Sequence, residues 1–85
     1  MIKLYNRYGD DVHLEPISEN KYILKCSGEH VRVGFDSDED YKNHNYSFID
    51  PPGGPFISVG KEIDGMKVSK IGVEDNEWII EFEKG

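Results

Sequence analysis

Apolar residues in this chain fall on alternate positions in short bursts, and each burst closes on a cluster of turn formers. "IKLY" (2–5) places Ile2 and Leu4 on one face. "DVHLEPI" (11–17) alternates after the turn-rich "NRYGDD". "KYILKC" (21–26) aligns Tyr22, Leu24 and Cys26, and "HVRVGF" (30–35) aligns Val31, Val33 and Phe35 inward. Side chains of a strand point alternately to its two faces, so this period of two is the pattern of half-buried strands and not of amphipathic helices. Composition agrees. The chain contains no alanine, the best helix former, and its apolar set is rich in Val, Ile, Tyr and Phe, which suit a pleated surface.

The second half continues in the same way. "YSFI" (46–49), "FISV" (56–59), "MKVSKIGV" (66–73) and "WIIEFE" (78–83) read as strands, the last with Trp78, Ile80 and Phe82 inward. Apolar phase slips by one between Val68 and Ile71, which predicts a bulge near Ser69–Lys70. Pro16 lacks an N–H, so it ends its strand or lies on an edge. Short loops between alternating strands favour antiparallel neighbours. Six to eight short strands in 85 residues make an all-β fold, a small antiparallel barrel or a two-sheet sandwich, with one helical turn over 37–43. The segment from Val59 to Ile71, followed by a turn and the strand led by Trp78, resembles the hairpin of SH3-like small barrels in its pattern of Val, Gly and Ile. That resemblance implies a barrel hairpin and no particular activity, because such barrels carry unrelated functions.

Eighty-five residues fit one small domain, 1–85, with a modest core and little room for a deep enclosed site. Cys26 is the only cysteine, so neither an internal disulfide nor a multi-cysteine zinc site is available. No apolar run has the length of a signal peptide core or a membrane span, and the expected location is cytoplasmic.

The net charge is −7, and it is unevenly spread. Residues 1–35 balance to zero. Residues 36–50 carry −4, from Asp36, Asp38, Glu39, Asp40 and Asp50 against Lys42; residues 51–85 carry −3. Such a balance repels nucleic acid backbones, which need lysine and arginine to displace counterions. Direct nucleic acid binding is therefore excluded, and membrane binding is not expected.

Two stretches are candidates for function. "DSDEDY" gathers Asp36, Asp38, Glu39, Asp40 and Tyr41 into an acidic face suited to a protein partner with a basic surface. Asp36, Asp38 and Asp40 have the spacing of the first calcium-loop ligands, but Tyr41 and Ser47 stand where such a loop needs Gly and Glu. Ser37 with Asp40 also reads as a helix cap. "DPPGGPFISVG" (50–60) is the second stretch. Pro51 and Pro52 stiffen its entry, and Gly53 and Gly54 expose backbone amides that suit a phosphate or carboxylate, with Phe56 and Tyr46 flanking the loop as stacking platforms. The plain alternative is a rigid connection between strands.

His13 and His30 fall on outward faces without metal-ligand spacing, and Cys26 shares a face with apolar neighbours, so no metal or cofactor is assigned. No nucleophile elbow or acid–base pair is legible, and no catalytic residue is assigned. The sequence thus predicts a non-enzymatic, acidic accessory or inhibitor protein that works by protein–protein contact. Its alternative is a sensor or sponge for a phosphate-bearing ligand, built from the Pro-Gly loop at a subunit interface. "IKLY" as an edge strand offers a route to a homo-oligomer.

Overall fold

The structure is a computed structural model that describes residues 1–26 and 30–83; the turn expected at 27–29 lies outside the described residues. Its elements are β1 (Ile2–Leu4), β2 (Val12–Ser18), β3 (Lys21–Lys25), β4 (Arg32–Gly34), α1 (Asp38–Lys42), β5 (Phe48–Asp50), β6 (Ile57–Ser58), β7 (Glu62–Ile63), β8 (Met66–Glu74) and β9 (Glu77–Phe82). The fold is all-β, as the alternation predicts. A curled six-stranded sheet in the order β1-β2-β3-β9-β8-β7 forms a half-barrel, and β4-β5-β6 form a second sheet. Every strand pairing is antiparallel.

Tight turns set the registers. Asp64 and Gly65 join β7 to β8 with φ of 53° and 79°, and Asp75 and Asn76 join β8 to β9 with φ of 52° and 64°. Left-handed conformations at both central residues match the right-handed twist of a hairpin, and Asp, Asn and Gly tolerate them best. The predicted bulge is present, because the β8–β9 register shifts between Val68 and Lys70. Ile2 pairs with Leu14, so β2 outruns β1, and Pro16 lies past that pair, where no β1 residue needs its missing N–H. β7 brings the strands among the described residues to nine, one more than the six to eight expected.

The two sheets share one core of Leu14, Leu24, Ile49, Ile57, Ile71, Ile80 and Phe82, with Tyr22, Cys26 and Trp78 packed against it. Each fully buried aliphatic side chain there contributes about 1.5–3 kcal/mol of transfer free energy. Backbone ties join the sheets. Tyr46 N–H donates to Ile71 O at 3.0 Å, Gly60 N–H to Val68 O at 2.8 Å and Val68 N–H to Lys61 O at 2.9 Å.

Two aromatic side chains of the segments read as strands lie outside the core. Phe35 is 43% exposed, because β4 ends at Gly34 and the chain turns into α1 before the alternation can return the ring inward. Phe48 is half-buried, on the face of the small sheet away from Ile49. There it covers Gly34, where a Cβ would overlap its ring, and stacks on Phe56 at 5.0 Å. Among the described residues, no helix is long and apolar enough to cross a membrane.

Candidate acidic cleft

The acidic stretch folds as a capped turn of helix. Ser37 takes an extended conformation (φ −154°, ψ 164°), and its Oγ accepts from Asp40 N–H at 3.1 Å. Asp38, Glu39 and Asp40 fill the first turn, where negative charge complements the free N–H groups, and Lys42 lies in the last. Asn43 N–H donates to Glu39 O at 3.0 Å, and Asn45 N–H to Asp40 O at 2.7 Å. His44 at φ 54° then reverses the chain, which lets Tyr46 join β8.

This path sets α1 across from β8 and leaves a cleft of about 260 Å³ between them. Asp36 and Asp40 line one side, Val59 and Lys70 line the other, and Tyr46 also borders it. Phe35 and Tyr41 pack together at 4.9 Å on the helix side, and both remain exposed. Among the described residues, none of Asp36, Asp38, Glu39 and Asp40 takes part in an ion pair, whereas six pairs engage other carboxylates. The fold thus brings Asp36, Asp40 and Tyr46 to one cleft, although the sequence assigned Tyr46 to the other candidate. Tyr46 is only 8% exposed, since pairing with Ile71 draws it inward, edge-on to Trp78 at 5.5 Å. Its hydroxyl lies 3.2 Å from His44 Nδ1. It is not the open stacking platform that its sequence position suggests.

The Pro-Gly loop is held by a residue that sequence reasoning missed. Asn6, buried in the turn after β1, donates from Nδ2 to Pro52 O at 2.9 Å and to Gly54 O at 3.0 Å. Its Oδ1 accepts from Tyr8 N–H at 2.8 Å, and Arg7 N–H donates to Gly53 O at 2.7 Å. Gly53 and Gly54 adopt φ of 80° and 83°, and the Gly54 amide donates to Pro51 O at 2.9 Å inside the turn. Of the two amides that the sequence offers to an anion, that of Gly54 is therefore already engaged. Phe56 is exposed and stacks on Phe48, while Lys61 Nζ donates to Phe56 O at 2.6 Å. The asparagine in "NRYGDD" was the one signal for this bracket, and it reads equally as an ordinary turn former.

A third cluster lies on the outer face of β2. His13 sits between Asp11 (Nδ1 to Oδ1, 3.2 Å) and Glu15 (Nε2 to Oε1, 3.1 Å). The Glu15 hydrogen bond, against partial desolvation and with help from Asp11, raises its pKa above the usual 6.5. Among the described residues, no three His, Cys, Asp or Glu side chains come together as a metal site.

Fold and cleft together define a small all-β protein, a half-barrel with a second three-stranded sheet, whose acidic helix turn forms no ion pair among the described residues. Comparison with protein-family models, curated proteins and solved structures finds no match to this chain.

Proposed function

We propose that this chain is a non-enzymatic, acidic binding protein that works in the cytoplasm by occupying a basic surface of a protein partner. One observation carries the reading: the carboxylates of Asp36, Asp38, Glu39 and Asp40 have no ion-pair partner among the described residues, while two of them line a cleft. Carboxylates outside an ion pair have no salt bridge to break on docking. They steer a cationic surface into contact and fix its register. The exposed Phe35–Tyr41 pair beside them supplies apolar and cation–π contact to lysine and arginine stems. A single cysteine with no disulfide suits the cytoplasm.

The test compares the wild-type chain with a variant carrying Asn at 36, 38 and 40 and Gln at 39. Each is immobilised and exposed to the same cell lysate. The expected result is a protein captured by the wild type, released as salt rises from about 0.1 to 0.5 M, and lost in the neutral variant. Equal capture by the neutral variant, with the same salt profile, would overturn the reading.

A further inference from the structure

We infer that the free edge of β1 is a docking edge for an extended, acidic segment of another protein, which adds to the six-stranded sheet as a further strand. This surface is separate from the α1 cleft, and the inference does not rest on it.

β1 ends the sheet order, and among the described residues no strand pairs with its outer side. An unpaired edge presents a row of N–H and C=O groups, which an incoming strand satisfies. The flanks of this edge are unusually apolar for exposed surface: Met1 at its start is exposed, and beyond its end Tyr5 is 81% exposed and Tyr8 67%. A cleft of about 450 Å³ opens on the same hairpin, with Met1, Lys3, Leu4 and Val12 in its lining and the carboxylates of Asp10 and Asp11 at the turn end. These features offer side-chain contacts to a strand whose backbone the edge has paired.

Charge selects the occupant. In a molecule of net charge −7, Lys3 at the centre of β1 and Arg7 just beyond it are both exposed, and neither forms an ion pair among the described residues. Arg7 instead lies over the Tyr8 ring at 5.7 Å. Asp11 and Glu15, on the same hairpin and facing Lys3 across β2, are both turned to His13, which leaves Asp10 as the nearby carboxylate outside an ion pair among the described residues. The other free edges differ. Arg32 of β4 is already held by Asp50 at 2.6 Å, and β6 and β7 are two residues each. A second copy fits β1 poorly, because the antiparallel register that pairs all three residues sets Lys3 opposite its own counterpart, and directly opposed like charges are destabilising. An acidic residue at that place converts the repulsion into an attractive cross-strand pair.

The full chain, labelled with ¹⁵N, is titrated at millimolar concentration with two capped peptides, one alternating valine with aspartate and one alternating valine with lysine. The acidic peptide is expected to shift the amides of Ile2 to Tyr5, leave α1 unmoved, and bind about fivefold tighter than the lysine peptide. Lys3→Glu, an exposed substitution, is expected to reverse that preference. No shift with either peptide, no charge preference, or shifts confined to α1 would each overturn the inference. Concentration-dependent self-association that moves residues 2–4 would overturn it too, by naming a second copy as the occupant.

Discussion

A Cβ placed on Gly53 would lie 2.6 Å from Oδ1 of Asn6, across 47 residues of sequence. Gly53 is thus a glycine for two reasons, its φ of 80° and the closeness of the Asn6–Tyr8 turn, whose Tyr8 Cδ2 would be 2.8 Å away. Gly54 has the same backbone strain at φ 83° but open space around it, with Phe56 N at 3.8 Å. Gly53→Ala is therefore expected to destabilise by about 2–4 kcal/mol and Gly54→Ala by about 1 kcal/mol, the difference reflecting the clash alone. Urea unfolding of the two variants measures that difference; equal losses would mean that the Asn6 turn yields freely.

Asn6 is the other half of the same bracket. Asn6→Ala leaves Pro52 O, Gly54 O and Tyr8 N–H without their side-chain partner, in a part-buried site. The expected cost is about 2–4 kcal/mol, from the desolvation of groups left unpaired. Hydrogen exchange locates the effect. The Arg7 amide, which donates to Gly53 O, is expected to lose protection before the amides of β8 and β9.

These two residues show what the sequence carries and what it lacks. Alternation identifies the strands because it is a local property, and the slip between Val68 and Ile71 locates the bulge for the same reason. Phe35 misleads because alternation holds only while the strand lasts, and nothing in "VGFDS" marks Gly34 as its final residue. Tyr46 misleads because its burial depends on a bridge to Ile71, 25 positions away. The acidic turn and its Ser37 cap are local and legible. The cleft they form with Val59 and Lys70 is long-range, and only the fold assembles it.

Ser37 separates helix from charge. Ser37→Ala removes the acceptor for Asp40 N–H while keeping every carboxylate. The expected loss is about 1 kcal/mol of stability, concentrated in a five-residue helix that has little else to hold it. Circular dichroism should change little, whereas the amides of 40–43 should exchange faster. Partner binding should weaken although the net charge is unchanged. Full binding by this variant would show that the carboxylates act without the helical frame.

His13 gives the chain a pH-dependent stability whose sign follows from its neighbours. Glu15 and then Asp11 favour the imidazolium, and burial opposes it less, so the folded-state pKa lies above 6.5. Lys3 and Lys25 are paired with His13 in register on either side, and they face the same cluster. A raised folded pKa means that the contribution is fully present below the unfolded value. It is lost as pH rises through the folded one. The urea midpoint of the wild type is therefore expected to fall as pH is raised from about 6 to 8. His13→Gln should flatten that slope, because the amide keeps hydrogen-bonding capacity but carries no charge. Asp11→Asn should reduce the slope in part, and Glu15→Gln should reduce it more, following the order of their effects on the imidazole. A wild-type midpoint that rises over this range would mean that another group controls the titration and that the pairing of His13 with Glu15 does not persist in solution.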